Sequence, residues 1–232
     1  IGQYIHAARR QLNIVYIVEN NGTYGLTKGQ FSATNDLESK SKYGEENLFP
    51  AIDLASMAIQ VGASFVARSF SGDKNQLVPL LKAAMKHKGF SILDVISPCV
   101  AFNNHNTSTK NYDYIREHNE SVSRPDFVPL GKEIKADYGE GETIDVSLHD
   151  GSTLTLEKLS KDYDPRDKAS AISHIISAYE DRKVLTGLLY IDPAAKDLEE
   201  TLNLTKKPLN LLNQRELCPG KEKLIKINDS LR

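Results

Sequence analysis

The chain has 232 residues, a formal net charge of −2, and 40% hydrophobic and 26% charged residues. These values are ordinary for a globular protein, and the length suffices for one α/β domain plus an appendage. A nearly neutral chain gives no support for nucleic-acid binding, and no apolar run approaches the ~20 residues of a membrane span, so we expect neither partner. Two cysteines, Cys99 and Cys218, indicate no disulfide framework and favour a cytoplasmic protein.

The first predicted elements are a helix and a strand. Apolar residues at helical spacing predict a helix over residues 1–12. The continuous β-branched run of residues 14–18 then predicts a strand of a parallel sheet that is buried on both faces. Because ligands bind beyond the carboxyl ends of strands in open α/β sheets, we expect a ligand at the segment that follows Val18.

The alternation of helices and strands continues along the chain. Apolar faces predict helices over residues 52–61 and 74–88, the second with Asp73 as its N-cap. Short apolar runs predict strands over residues 65–67 and 90–96. This alternation indicates an α/β fold class, with a parallel sheet and helices on both of its faces.

The second half of the chain changes its period. From about residue 132 to 158, apolar residues alternate with polar ones, which predicts a small antiparallel arm of three strands. A helix over residues 166–181 and a strand over residues 188–191 follow. We therefore divide the chain into a main α/β domain, a β arm, a helix and strand that complete the core, and a C-terminal extension: residues 1–123, 124–163, 164–205 and 206–232.

The segment after Val18 has two interpretations. Asn21-Gly22 is a strong hairpin signal, because both residue types tolerate positive φ. A hairpin needs a second alternating strand immediately afterwards, whereas residues 23–30 contain two more glycines and no clean alternation. The other interpretation is a metal-diphosphate site. The Asn21 side-chain oxygen and the Thr23 carbonyl could then bind Mg²⁺, and the glycines would let the backbone approach phosphate oxygens.

The run NNGTYGLTKGQ, residues 20–30, resembles the β subunits of the 2-oxoacid:ferredoxin oxidoreductases, and the resemblance extends over nearly the whole chain. Its start is similar to the second half of the thiamine diphosphate motif, and its Leu-Thr-Lys-Gly-Gln part resembles the 2-oxoglutarate branch. The resemblance implies thiamine diphosphate and Mg²⁺ as cofactors, with residues 1–123 as the C-terminal part of the cofactor-binding domain. The Gly-Asp-Gly half of the motif, with the acidic Mg²⁺ ligand, is then expected before Ile1.

The resemblance also implies roles for individual residues. Asn21 and Thr23 would bind Mg²⁺, and the remaining cofactor contacts would come from Gly22, Thr23, Tyr24, Gly25 and Thr27. Lys28 and Leu26 would determine substrate specificity, because the Lys28 ammonium can meet the distal carboxylate of 2-oxoglutarate. A solvated surface lysine is the simpler alternative for Lys28.

Cys99 follows a predicted core strand, in the sequence Ser97-Pro98-Cys99. A single cysteine is often a small buried hydrophobic residue, and a [4Fe–4S] cluster needs four thiolates. The segment nevertheless resembles the one that carries the family's fourth cluster cysteine, which implies three further ligands before Ile1. Cys218 lies in the C-terminal extension, and we expect no function for it.

The implied activity is coenzyme A-dependent oxidative decarboxylation of a 2-oxoacid, with electrons passing through the [4Fe–4S] cluster to ferredoxin. An α subunit would complete the thiamine pocket. Two alternatives are a non-redox thiamine diphosphate-dependent decarboxylase or synthase, which has no use for a cluster, and a non-catalytic anion-binding module. If a strand that precedes Ile1 belongs to the sheet, the chain by itself would expose a sheet edge.

Overall fold

The computed structural model describes residues 1–38, 44–97, 135–147, 153–160, 163–181, 183–218 and 220–231. The chain forms two compact units, Ile1–Leu198 and Glu199–Arg232. In these described ranges, every helix is too short or too polar to cross a bilayer.

The first unit contains four helices and eight strands among its described residues. The helices are α1 (Gly2–Arg9), α2 (Leu54–Gln60), α3 (Lys74–Lys86) and α4 (Lys168–Glu180). The strands are β1 (Val15–Asn20), β2 (Thr23–Tyr24), β3 (Gln30–Phe31), β4 (Phe65–Phe70), β5 (Ser91–Ile96), β6 (Thr143–Ser147), β7 (Thr153–Lys158) and β8 (Val184–Ile191).

Six strands form one sheet in the order β1-β5-β4-β8-β7-β6. Strand β5 pairs in parallel with β1 and β4, so that Asp94 lies level with Val18 on one side and Arg68 on the other. Strand β8 runs antiparallel to β4, with a bulge opposite Val66 and Ala67. The predicted α/β class is therefore confirmed, and the sheet is mixed with a parallel half that carries the carboxyl end of β1.

Helices cover both faces of the sheet, as predicted. On one face, α1, α2 and α4 pack on the sheet through a cluster that includes Ala58, Ile175 and Ile92. On the other face, α3 packs its Ala84 against Phe65 and Leu93. Side chains alternate between the faces of a strand, so the almost continuous apolar sequence of β4 and β5 supplies both layers.

The predicted three-stranded arm differs from the structure. Residues 135–142 contain no strand, and residues 132–134 lie outside the described part of the chain. Strands β6 and β7 form an antiparallel pair, and β7 also pairs in parallel with β8. The pair therefore extends the main sheet. Its inward residues Val146 and Leu156 join the buried cluster of Phe70.

The prediction that the first strand is buried on both faces is wrong. Strand β1 lies at the edge of the sheet and pairs only with β5 among the described strands. Tyr16 and Ile17 are 40% and 51% exposed. A continuous apolar run correctly predicts a parallel strand. It does not show whether a second strand pairs with the other edge of that strand.

Aspartates cap three of these helices. The side chains of Asp53, Asp73 and Asp167 accept hydrogen bonds from backbone N–H groups in the first turns of α2, α3 and α4. The predicted N-cap Asp73 is thus confirmed. Such caps satisfy donors that have no partner inside the helix, and each contributes roughly 1 kcal/mol of stability.

The second unit is built from short helices. They comprise the 3-10 helix Leu209–Leu211, α6 (Gln214–Leu217) and α7 (Lys221–Ser230), after α5 (Leu198–Thr201) at the boundary of the two units. Asn213 caps α6 through a reciprocal capping box with Glu216. The predicted C-terminal extension therefore has local helical structure.

Candidate functional site

The β1–β2 loop, residues 20–23, leaves the carboxyl end of β1 and leads into a small hairpin. Strand β2 pairs antiparallel with β3, with Thr23 opposite Phe31 and Tyr24 opposite Gln30. A strand does follow Asn21-Gly22, but it pairs with β3 and not with β1, so Asn21-Gly22 does not form a hairpin between β1 and β2. The turn of the β2–β3 hairpin lies at residues 25–28, so the β1–β2 loop has a separate conformation.

Asn21 and Thr23 lie next to each other in the β1–β2 loop. The Thr23 backbone N–H donates to Asn21 Oδ1 over 3.1 Å, an interaction that places the amide oxygen over the following backbone. Gly22 takes φ +68°, a left-handed conformation that suits glycine. Its carbonyl accepts hydrogen bonds from Ser32 N and Asn35 Nδ2, each at 3.0 Å. The loop is thus held by the irregular segment, residues 32–35, that follows the hairpin.

The hairpin turn brings Lys28 into an unusual backbone conformation. Lys28 N donates to Gly25 O over 3.1 Å, and Gly29 N donates to Tyr24 O over 2.9 Å. Lys28 has φ +74° and Gly29 has φ +98°. A left-handed conformation is ordinary for glycine and costs roughly 1–2 kcal/mol for a lysine. Non-glycine residues held in this way are concentrated at functional sites.

The other predicted specificity residue, Leu26, is 98% exposed at the tip of the hairpin. Tyr24, predicted to contact the cofactor, is 58% exposed. Thr27 Oγ1 donates to Gln30 Oε1 across the hairpin. An apolar side chain as exposed as Leu26 shapes no pocket within the described residues.

A cavity of about 590 Å³ lies between the hairpin and the segment that precedes α2. Its lining includes Thr27 and Lys28 among the predicted site residues, whereas Asn21 and Thr23 do not line it. Phe49 and Pro50 contribute to the opposite wall. Lys28 therefore lies at this cavity, whereas the predicted metal ligands Asn21 and Thr23 lie at the base of the same hairpin and outside it.

Asn47, which the sequence analysis did not single out, holds the opposite wall of the cavity. It is buried, and its Nδ2 lies within hydrogen-bonding distance of the Asn35, Asp36 and Phe49 carbonyl oxygens, at 2.9–3.1 Å. Its Oδ1 accepts from Phe49 N. A single amide thus organises a segment without regular structure, and its sequence setting carried no signal of that role.

A buried ion network lies beneath the β1–β2 loop. The Arg68 guanidinium on β4 donates to Asp94 Oδ2 on β5 over 2.8 Å and to Asp53 Oδ2 at the start of α2 over 2.5 Å. Arg68 and Asp94 are 6% and 1% exposed. Burial lowers the pKa of Arg68, but the two carboxylates outweigh this effect and raise it. The guanidinium therefore stays charged and compensated.

This network reaches the β1–β2 loop through Asn20. Asn20 Nδ2 donates to Asp94 Oδ1 over 3.0 Å, and Asn20 Oδ1 accepts from Thr34 Oγ1 over 2.7 Å. Sequence patterns predicted no individual role for Arg68, Asp94 or Thr34. One signal was present, because Arg68 and Asp94 interrupt apolar strand runs, and charges in such positions require partners.

Cys99, the predicted cluster ligand, lies outside the described residues. In the part of the chain that the structure describes, no three His, Cys, Asp or Glu side chains gather in an arrangement that could hold a metal ion. Asn21 and Thr23 would therefore supply only part of a Mg²⁺ coordination sphere. Protein-bound Mg²⁺ commonly takes phosphate and water oxygens as its other ligands.

The β1–β2 loop fits a metal-bound diphosphate in its chemistry. Thr23 Oγ1 is buried and has no hydrogen-bond partner among the described residues. Buried polar atoms are rarely left unpaired, so such an atom is a candidate for contact with a ligand. Asn21 is exposed and presents an amide oxygen, which is a hard donor suited to Mg²⁺.

Comparisons with known proteins include a family match to the region that contains the β1–β2 loop. Residues 1–95 match the family described as thiamine pyrophosphate enzyme, C-terminal TPP binding domain. The chain is 31% identical over 220 residues to the 2-oxoacid:ferredoxin oxidoreductase subunit beta of Sulfolobus sp, covering 93% of this chain and 68% of that subunit. It is 33% identical over 139 residues to the 2-oxoglutarate synthase subunit KorB of Archaeoglobus fulgidus, covering 59% of this chain and 50% of that subunit.

The fold also matches a solved structure, the 2-oxoglutarate:ferredoxin oxidoreductase from Magnetococcus marinus with 2-oxoglutarate, coenzyme A and succinyl-CoA bound. The TM-score is 0.60 at 23% identity, and the match covers 97% of this chain and 62% of that chain. The chain therefore spans under two thirds of the length of the solved protein. The match to the Sulfolobus subunit covers nearly all of this chain, including the β1–β2 loop and the hairpin. This chain belongs to the β subunits of the 2-oxoacid:ferredoxin oxidoreductases.

Proposed function

We propose that this chain is part of the β subunit of a thiamine diphosphate-dependent 2-oxoglutarate:ferredoxin oxidoreductase. The complete enzyme would convert 2-oxoglutarate and coenzyme A to an acyl-CoA and CO₂, and it would transfer two electrons to ferredoxin. The observation that carries the proposal is the β1–β2 loop at the carboxyl end of β1. It has an exposed Asn21 amide and a buried Thr23 hydroxyl without a hydrogen-bond partner among the described residues. Its sequence resembles the cofactor motif, and a thiamine pyrophosphate-binding family matches the same region.

In this proposal, the β1–β2 loop holds the diphosphate through Mg²⁺. Asn21 Oδ1 and the Thr23 carbonyl would be two metal ligands, and the Thr23 hydroxyl would donate a hydrogen bond to a phosphate oxygen. Gly22, Tyr24, Gly25 and Thr27 would line the remainder of the cofactor site. When bound, thiamine diphosphate supplies an electron sink that permits loss of CO₂ from a 2-oxoacid.

Lys28 would select 2-oxoglutarate over smaller 2-oxoacids. Its position beside the cavity and its left-handed backbone support a functional role for the side chain. The ammonium would meet the second carboxylate of 2-oxoglutarate, a group that pyruvate lacks. Leu26 would contribute to the same subsite only if a partner subunit covers it, because it is 98% exposed in this chain.

The remaining parts of the enzyme lie beyond the described residues. We propose that Cys99 binds one iron of a [4Fe–4S] cluster, with the other thiolates supplied by protein that is not described by this structure. The β-subunit relatives support an α subunit as the partner, and ferredoxin would receive the electrons. Cytoplasmic localisation fits the small number of cysteines in the chain.

Anaerobic reduction of a viologen dye by the intact complex tests this function. We expect reduction that requires coenzyme A and is faster with 2-oxoglutarate than with pyruvate. Faster reduction with pyruvate would contradict the proposed specificity. A complex that holds thiamine diphosphate and iron but reduces the dye with neither substrate would contradict the proposed activity, and decarboxylation without dye reduction would identify a non-redox thiamine enzyme.

A further inference from the structure

We propose that Asn20 is a positioning residue that aligns Asn21 and Thr23 toward Mg²⁺. Asp94 holds its side chain from the sheet, and Thr34 holds it from the segment after the hairpin. The inference rests on the proposed function, because it assigns how the β1–β2 loop is prepared for that metal. Asn20 itself would not contact the metal or the substrate.

The sheet side of this arrangement is rigid. Asp94 is 1% exposed, and its Oδ2 is occupied by Arg68, which is itself held by Asp53 at the N-terminus of α2. The other carboxylate oxygen, Oδ1, accepts from Asn20 Nδ2 over 3.0 Å. A buried carboxylate needs its donors, because an unpaired one loses solvation without compensation. Asp94 therefore fixes the orientation of the Asn20 amide.

The loop side uses the other end of the same amide. Asn20 Oδ1 accepts from Thr34 Oγ1 over 2.7 Å, and Thr34 Oγ1 lies 2.8 Å from Ser32 Oγ. Ser32 in turn donates its backbone N–H to the Gly22 carbonyl over 3.0 Å. The chain of contacts thus starts at the buried ion network and ends on the peptide between the two proposed metal ligands.

The main chain of Asn20 is fixed as well. Its carbonyl accepts from Ser97 N over 2.9 Å, and β1 pairs with β5 up to Asn20. With both the backbone and the side chain of Asn20 held, the next three residues begin from a defined position and direction. Metal and ligand sites depend on such supporting contacts, since small displacements of the ligands weaken binding.

Thr34 offers the sharpest test, because valine has nearly the same shape as threonine and lacks the hydroxyl. In the complete complex with saturating thiamine diphosphate, the probe is Mn²⁺, whose free concentration is measured by electron paramagnetic resonance. We expect Thr34→Val to raise the dissociation constant of Mn²⁺ about three- to tenfold, which corresponds to the loss of one hydrogen bond. Thr34→Ser, which keeps the hydroxyl, should bind Mn²⁺ as the wild type does.

Thr155→Val is the matched control. Thr155 Oγ1 on β7 donates to Asp145 Oδ1 on β6 over 2.7 Å. This variant therefore also loses a threonine hydroxyl that links two segments, but at a position remote in sequence from the β1–β2 loop. We expect its Mn²⁺ affinity to equal that of the wild type.

A second variant, Asn20→Ser, removes both amide contacts and tests the positioning role if Thr34→Val fails to assemble. We expect it to weaken Mn²⁺ binding by at least about tenfold.

The outcomes separate the two levels of the proposal. A wild-type complex that binds no Mn²⁺ in the presence of thiamine diphosphate overturns the proposed function. A wild-type complex that binds Mn²⁺, together with a Thr34→Val complex of unchanged affinity, overturns the positioning role of Asn20. A lower melting temperature of Thr34→Val with unchanged Mn²⁺ affinity would also overturn it, because that result describes a structural contact alone.

Discussion

Lys28 combines two features that are uncommon for a lysine. Its backbone has φ +74°, and the residue is exposed and lines a cavity of about 590 Å³. The strain is tolerated because Gly29 beside it also takes a positive φ and the turn is closed by hydrogen bonds from both residues. A glycine would relieve this strain, so the presence of a lysine favours a use for the ammonium.

Replacing Lys28 with alanine should change substrate preference more than overall activity. A hydrogen bond to a charged group contributes roughly 1.5–3 kcal/mol, so we expect the ratio of kcat/KM for 2-oxoglutarate to that for pyruvate to fall about ten- to a hundredfold. The measurement is viologen reduction by the variant complex with each substrate. The matched control is Lys82→Ala, which removes an exposed lysine from α3 and should leave the ratio unchanged. An unchanged ratio in Lys28→Ala would show that Lys28 is a solvated surface residue.

At the scale of elements, a polar cluster joins the ends of several elements at the amino side of the parallel strands. His87 at the end of α3 lies with its Nε2 2.8 Å from Ser64 Oγ, just before β4. Gln11, which follows α1, accepts from Ser64 Oγ over 2.7 Å and from Phe90 N over 3.0 Å. These contacts link α1, α3, β4 and β5, so the cluster stabilises the packing of the sheet and not the candidate site at its other end.

His87 should make the stability of the fold depend on pH. Burial lowers the pKa of His87, and Asp192 only partly offsets this effect. The unfolded chain, with a histidine pKa of about 6.5, therefore binds a proton more readily than the folded chain does. The free energy of unfolding should then decrease as the pH falls below about 6.5, until the folded state is protonated too.

Urea denaturation followed by circular dichroism at pH 5, 6, 7 and 8 measures this effect. We expect the decrease towards low pH to be smaller in His87→Gln than in the wild type, because glutamine can keep a hydrogen bond to Ser64 without binding a proton. His6→Gln, at an exposed position of α1, is the control and should follow the wild type. An identical pH dependence in all three proteins would contradict the role of His87.

At the scale of the molecule, no strand in the described part of the chain pairs with the outer edge of β1. The strand that leads to the candidate site is also the edge strand, and it exposes Tyr16 and Ile17 at 40% and 51%. Tyr24 and Leu26 on the adjoining hairpin are exposed as well. Edge strands and apolar surfaces of this kind are commonly covered by further structure or a partner, which agrees with the proposal that an α subunit completes the site.

Cys99 carries the prediction that concerns the whole assembly. If it binds a [4Fe–4S] cluster, Cys99→Ala should lower the content of iron and acid-labile sulfide in the purified complex, since three thiolates hold such a cluster poorly. Thiamine diphosphate content should stay unchanged, and dye reduction should be lost. Cys218→Ala is the control, because Cys218 is exposed in the second unit. Full iron and sulfide content in Cys99→Ala would exclude this residue as a ligand.

Local patterns in the sequence were sufficient for much of this protein. The apolar runs of β4 and β5, the N-cap Asp73 and the helix between them follow from periodicity and capping chemistry, both of which act within a few residues. The run of residues 20–30 was sufficient to identify the family, which the comparisons confirmed. The roles of Asn21, Lys28 and Cys99 stay predictions, because a sequence pattern names ligands without showing what they bind.

Other features were decided only by the tertiary structure, because they depend on contacts between residues far apart in the chain. The position of β1 at the sheet edge follows from which strands pair, and an apolar run looks the same at an edge or in the middle of a sheet. The same reason explains the β6–β7 pair, which joins the main sheet through β8. The link from Arg68 through Asp94 and Asn20 to Thr34 spans three strands and a hairpin, so no local pattern could predict that these side chains meet.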